Sequence, residues 1–243
     1  MNRLVFRKLP QLSYPVNEAF NTLSTNVSFL GRNIKKIMIT SSQASEGKSF
    51  TSLTLCRKLA ERGKRVVLVD TDLRRSRITT VYGVQFAPGS KKQGLSHYLA
   101  GIAEKEEVLF NTNVPGMDFI PMGHELLNPI PLLSSERFQN LLDGLAEQYD
   151  YVIVDAAPVG VVIDAAEIAK ACDGILLVVS YNQVHRQELI DVKNQLEQTG
   201  CPILGTILNQ VDYEGFANKK YYYKSHYSSY YKAYEKEAEE KKS

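Results

Sequence analysis

The sequence predicts an α/β fold, a doubly wound and mostly parallel sheet flanked by helices. Three observations predict it. Short β-branched runs alternate with helical patterns from about residue 17 to residue 212, which is the rhythm of consecutive βαβ units. Runs such as VVLVD at 66–70 and YVIVD at 151–155 are apolar throughout instead of alternating, as expected of strands covered on both faces. The 243 residues are 44% hydrophobic, enough for one large domain with a two-sided core.

In chain order, residues 1–16 read as an N-terminal arm, 17–215 as the folded domain and 216–243 as a tail. Strands are expected near 36–40, 65–70, 117–121, 151–155, 174–180 and 203–208. Apolar residues at helical spacing mark helices over 49–61, stopped by Gly63, and 189–199, stopped by Gly200. Asp164 with Glu167 three residues later reads as a capping box opening a helix to Cys172. Residues 86–93, rich in Gly, Pro, Ser and Lys, read as an exposed loop. The apolar segment from Leu4 to Leu12 reads as an arm packed on its own domain or as a partner contact. Lys219 to Ser243 contains no Leu, Ile, Val or Met, so it cannot build an aliphatic core and is expected as a flexible tail. It nevertheless carries Tyr221, Tyr222, Tyr223, Tyr227, Tyr230, Tyr231 and Tyr234.

Composition narrows the function. A formal net charge of +2, without a dense basic run in the periodic region, argues against a nucleic-acid partner. Cys56, Cys172 and Cys201 are odd in number and lack CxxC spacing, which points to buried thiols and not to a disulfide or metal framework. No run is long enough to span a bilayer. A cytoplasmic protein is expected.

Chemistry concentrates at three places. IMITSSQASEGKS at 37–49 is a strand, a small-residue loop, then Gly-Lys-Ser opening a helix, the context of a phosphate-binding P-loop. Ser42, Gln43, Ala44, Ser45, Glu46, Gly47, Lys48, Ser49 and Phe50 are therefore candidate ATP-binding residues. Lys48 would reach the β- and γ-phosphates, and Ser49 would ligate Mg²⁺. Ser42 stands where the first glycine of the pattern would be, and an ordinary polar turn is the alternative. VVLVDTDLRR at 66–75 ends a strand in Asp70 and Asp72, two acids that repel unless a cation such as Mg²⁺ sits beside them. Arg74 and Arg75 are candidates for phosphate charge, with surface ion pairs as the alternative. YVIVDAAP at 151–158 ends in Asp155, the form of a Walker B element. All of these fall at the carboxyl edge of the sheet, where open α/β folds bind ligands. Asn209 follows the last strand on that edge, either reaching the adenine or closing a turn.

These residues resemble the bacterial tyrosine kinases that control capsule and exopolysaccharide synthesis. The likeness is carried by SEGKS, VLVDTDLRR, NPIPLLSS at 128–135, VDAAP, VIDAAEIAKACDGILLVV and the C-terminal tyrosine cluster. It implies a P-loop NTPase fold of the deviant class shared with ParA/MinD-type ATPases. It also implies ATP with Mg²⁺ as cofactors, Lys48 and Ser49 as Walker A groups, Asp72 and Asp155 as organisers of Mg²⁺, and Asp70 as the base. By the same resemblance the tail tyrosines are phosphorylated in neighbouring sites of a homo-oligomer. The resemblance further implies a tyrosine phosphatase that reverses the modification and a transmembrane activator that recruits the chain to the inner face of the cell membrane.

Two departures bear on that picture. The family's first helix usually reads Glu-x-x-Arg-x-x-Arg for ring assembly, whereas this chain has Glu18, Asn21 and Ser24, which lack the bidentate donors. Ala44 and Ser45 stand where Pro-Gly is common, so Ser45 works without glycine's freedom. The rival readings are a ParA/MinD-type ATPase that phosphorylates no tyrosine, and a non-catalytic adaptor whose tyrosine tail stacks on a polymer.

Overall fold

The computed structural model describes residues 2–160 and 163–211. The tyrosines at 221–234 lie outside the described residues. The strands are β1 (Asn2–Phe6), β2 (Lys36–Ser41), β3 (Val66–Asp70), β4 (Val84–Phe86), β5 (Phe110–Asn111), β6 (Met117–Ile120), β7 (Tyr151–Asp155), β8 (Gly174–Ser180) and β9 (Ile203–Asn209). The helices are α1 (Tyr14–Ser28), α2 (Lys48–Glu61), α3 (Ile78–Val81), α4 (Leu95–Leu99), α5 (Lys105–Val108), α6 (Ile130–Leu133), α7 (Glu136–Gln148), α8 (Asp164–Ala169) and α9 (Arg186–Glu197).

One nine-stranded sheet runs in the order β4-β1-β5-β6-β3-β7-β2-β8-β9. From β6 to β9 every pairing is parallel. The antiparallel pairs, β1 with β4 and β5 with β6, are confined to the other end. β2 is flanked by β7 and β8, while the next strand in sequence, β3, lies beyond β7. The chain therefore winds outward from β2 in both directions, which opens a crevice at β2's carboxyl end.

The period of two along each strand divides the core. Val67 and Val69 face one side with Met38, Val152, Val154, Ile175 and Leu177, under α7, α8 and α9. Val66 and Leu68 face the other with Ile37, Ile39, Ile153 and Val178, under α2 and Val27 of α1. Each fully buried aliphatic side chain contributes about 1.5–3 kcal/mol, so both faces are held mainly by burial. α7 also has a defined start: Ser135 caps it by accepting from Phe138 N, a bond whose loss typically costs about 1 kcal/mol.

Two expectations change in detail. Residues 2–6 of the arm form strand β1, inserted between β4 and β5, with Leu4 and Phe6 buried. Asp164 and Glu167 do not form a capping box. The α8 N-cap is Ile163 with no side-chain cap bond, because the Asp164 carboxylate is taken by Arg74 through Nε at 2.6 Å and Nη2 at 2.9 Å. The three cysteines are free thiols, with Cys56 wholly inside the α2 core face.

Candidate active site

β2 delivers the chain at Ser41 to a tight loop that ends where α2 begins at Lys48. Two loop residues take left-handed backbone, Ser45 at φ 68° and Gly47 at φ 90°. Gly47 has a second reason to be glycine, since a Cβ there would lie 2.1 Å from Asn209 Nδ2. That Asn209 amide donates to Glu46 O at 2.8 Å, and Gln210 Nε2 donates to Ser45 O at 3.0 Å. Asn209 is thus engaged with the loop itself. Phe50, on the first turn of α2, packs edge-on against Phe20 of α1 at 5.7 Å between centroids.

The acids converge because parallel register places strand ends level. Asp70 on β3 is the direct register partner of Asp155 on β7. Ser49 Oγ donates to Asp155 Oδ2 at 2.7 Å, and Ser52 Oγ donates to Asp155 Oδ1 at 2.8 Å. Lys48 Nζ lies 3.2 Å from Asp72 Oδ2 and 3.8 Å from Asp155 Oδ2. Asp72 Oδ1 accepts from Arg75 N at 3.0 Å, which curls the loop after β3 around its own carboxylate. Asp70 accepts a very short bond from Ser76 Oγ, while its Oδ1 is buried without a partner.

Electrostatics follow from that crowding. Burial opposes the Lys48 charge, yet Asp155, Asp72 and Asp70 outweigh it and raise the ammonium above its ordinary value. Burial and the neighbouring Asp155 push Asp70 well above the usual carboxylate range. Burial likewise raises Asp155, opposed by Lys48 and by the hydroxyls of Ser49 and Ser52. One ammonium thus faces three buried carboxylates, an arrangement that favours a further cation. No group of three or more His, Cys, Asp or Glu forms a ready cage among the described residues.

Lys48, Ser49, Asp70, Asp72 and Asp155 meet at one point of the sheet edge, with the 42–47 loop beside them. Arg74 does not join them; besides Asp164 it donates through Nη1 to Leu127 O at 2.7 Å. Two contributors escaped sequence reasoning, Ser52 and Ser76; Glu46 was expected as a residue of the phosphate loop, without the role of its buried carboxylate. Only Ser52 carried a signal, its position three residues after Ser49 on the same helix face.

Fold and site together define a P-loop nucleotide-binding domain. The family described as an AAA domain matches residues 34–200. Tyrosine-protein kinase CpsD of Streptococcus agalactiae serotype III (strain NEM316) is 40% identical over 195 residues, covering 80% of this chain and 82% of that protein. The kinase domain of Escherichia coli tyrosine kinase ETK superposes with a TM-score of 0.75 at 33% identity, covering 81% of this chain and 76% of that one. The chain belongs to the AAA-domain family and, within it, to the bacterial tyrosine-protein kinases. The septum site-determining protein MinD of Pyrococcus horikoshii, complexed with Mg-ADP, has a TM-score of 0.60 at 23% identity, covering 72% of this chain and 70% of that one; this likeness is one of fold. A ParA/MinD-type ATPase is accordingly not the favoured reading. Among the described residues no helix is long and apolar enough to cross a membrane.

Proposed function

We propose that this kinase transfers the γ-phosphoryl group of ATP to the tyrosines of its own C-terminal cluster, Tyr221, Tyr222, Tyr223, Tyr227, Tyr230, Tyr231 and Tyr234, within capsule or exopolysaccharide synthesis. The observation that carries the reading is the meeting of Lys48, Ser49, Asp72 and Asp155 beside a P-loop whose helix N-terminus faces the same point. Phosphoryl transfer needs chiefly positioning and cationic charge against the β- and γ-oxygens. Ser49, Asp72 and Asp155 are the hard oxygen donors that would hold Mg²⁺, and their buried negative charge fits it. Bound Mg²⁺ would supply charge neutralisation on the phosphate oxygens.

The 42–47 loop would present backbone N–H groups to the phosphates, apart from Gln43 N, which is held by Glu46 Oε2, and Lys48 would exchange its carboxylate partners for the β- and γ-oxygens. Asp70 is the base. Its carboxylate would take the tyrosine proton as the phenol oxygen bonds to γ-phosphorus and the bond from γ-phosphorus to the β–γ bridging oxygen breaks to release ADP. A free tyrosine near pKa 10 is a weak nucleophile at neutral pH, so this help matters. A transmembrane activator that brings the chain to the membrane and a tyrosine phosphatase that resets it belong to the same proposal. Each phosphate adds about −1.5 to −2 charge, so accumulated modification loosens contacts between the lysine-bearing tail and neighbouring subunits.

The test is incubation of the purified chain with γ-labelled ATP and Mg²⁺. Label is expected on residues 221–234 in the wild type and absent from Lys48→Met. Phosphate release without protein label would overturn the kinase reading at this tail.

A further inference from the structure

The buried carboxylate of Glu46 has no place in the transfer step above. Glu46 is 2% exposed, at a position of the phosphate loop where neighbouring Ala44 and Ser45 leave no glycine to ease the turn. Its Oε2 accepts from Ser42 Oγ at 2.7 Å and from Gln43 N at 2.6 Å. Its Oε1 accepts from Ser180 N at 2.9 Å, at the carboxyl end of β8. Both oxygens therefore act only as acceptors. One side holds the start of the loop and the other side holds the sheet.

Ser45, one residue earlier, sits at φ 68°. A side-chain-bearing residue there is strained and persists only where its surroundings over-determine it. Two contacts hold it: the Glu46 carboxylate on Ser42 and Gln43 of the same loop, and Gln210 Nε2 on Ser45 O. Gln210 is itself fixed by Ser180 Oγ, which donates to its Oε1 at 2.9 Å. The same residue of β8, Ser180, thus serves both holds.

We propose that Glu46 is a positioning residue for nucleotide binding: its carboxylate ties the phosphate loop to β8 and so enforces the left-handed Ser45 that glycine would adopt unaided. Negative charge near a phosphate site would ordinarily weaken binding. Here both carboxylate oxygens accept hydrogen bonds, three in all, which stabilise the charge within the loop. The chemistry also demands Glu in particular. An amide in its place can keep one oxygen on Gln43 N only by turning its NH₂ against Ser180 N–H, donor facing donor. Asp is one methylene too short to span both.

The inference rests on the reading that residues 42–47 surround the nucleotide's phosphates, and its readout is separate from tyrosine labelling. The experiment titrates ADP with Mg²⁺ into the purified full chain by calorimetry. Wild type is compared with Glu46→Gln, Ser45→Gly and the double variant, each checked for cooperative melting. Glu46→Gln is expected to weaken ADP binding by roughly ten- to a hundredfold, the range for one buried donor left unpaired. It should raise KM for ATP while kcat at saturating ATP stays within about twofold, since the contact acts on uniform binding. Adding Ser45→Gly should restore most of the lost affinity, because glycine reaches φ 68° without a brace. Glu46→Gln binding ADP as tightly as wild type, or more tightly, would overturn the proposal. So would failure of Ser45→Gly to restore affinity in a double variant that melts cooperatively. If wild type binds no ADP, the phosphate-loop reading itself fails; if binding behaves as expected while the tail takes no label, only the assignment of the acceptor fails.

Discussion

Asp70 lies at the end of β3 with no exposure and one oxygen without a donor, so it destabilises the nucleotide-free protein whenever it is ionised. Its folded pKa is raised well above 3.8 by burial and Asp155. The destabilisation is thus absent below the unfolded value, grows as pH rises toward the folded value, and is constant beyond it. Asp70→Asn should therefore melt higher than wild type at neutral pH, with the two curves converging as pH falls toward about 4. The same substitution should slow tyrosine labelling by about 10²–10⁴-fold, the usual contribution of a general base. Equal melting across the pH range together with undiminished labelling would refute the proposed role. At this scale the sequence was readable where a side chain ends a strand or starts a helix, as with Lys48, Ser49, Asp70 and Asp155. Ser76, Ser52 and the Glu46 carboxylate were hidden, because serine and glutamate are ordinary loop and helix residues until a buried partner is known.

Between elements, Arg74 is the strut. It grips Asp164 of α8 with a two-pronged hydrogen bond and holds Leu127 O with its third nitrogen, joining the loop after β3 to both neighbours. Asp164 is nearly inaccessible, whereas Arg74 is 32% exposed at its side chain. Arg74→Ala should thus leave a buried carboxylate unpaired and cost about 1–3 kcal/mol of stability in a denaturant titration. Arg74→Lys, without the fork, should recover only part of that loss. Full recovery by Lys would mean that charge alone matters. This strut also explains why the capping signal at 164–167 misled: a tertiary partner took the carboxylate that the motif assigns to the backbone. The central strands were legible to within about a residue because continuous apolar runs admit few other readings. β1 and β4, at 5 and 3 residues, depend on pairings between residues about 80–110 apart in sequence, which no local pattern encodes; β5, whose hairpin with β6 is local, is only 2 residues long, too short to show a pattern. In α1, Asn21 Nδ2 donates to Glu18 Oε1 at 2.9 Å and Ser24 is wholly buried. The positions that usually serve ring assembly are therefore turned to contacts within the chain, and size-exclusion chromatography should show no stable ring formed through this helix.

Across the whole molecule, the doubly wound topology brings an N-terminal loop, two mid-chain strand ends and the last strand to one edge. β9 finishes there, with Asn209 fastened to Glu46 O, so the segment beyond it is rooted at the rim of the site. Tyr221 lies 12 residues past Asn209 and Tyr234 lies 25; extended chain spans at most about 3.3–3.6 Å per residue, which limits their reach to about 40 Å and about 85 Å. When the catalytic centre belongs to another copy at about 50–70 Å, beyond Tyr223 and within reach of Tyr230, Tyr230, Tyr231 and Tyr234 gain phosphate in time-resolved mass spectrometry while Tyr221 to Tyr223 stay bare. Simultaneous modification of all of them would place donor and acceptor centres within the shorter span, so the order of labelling measures the spacing between subunits.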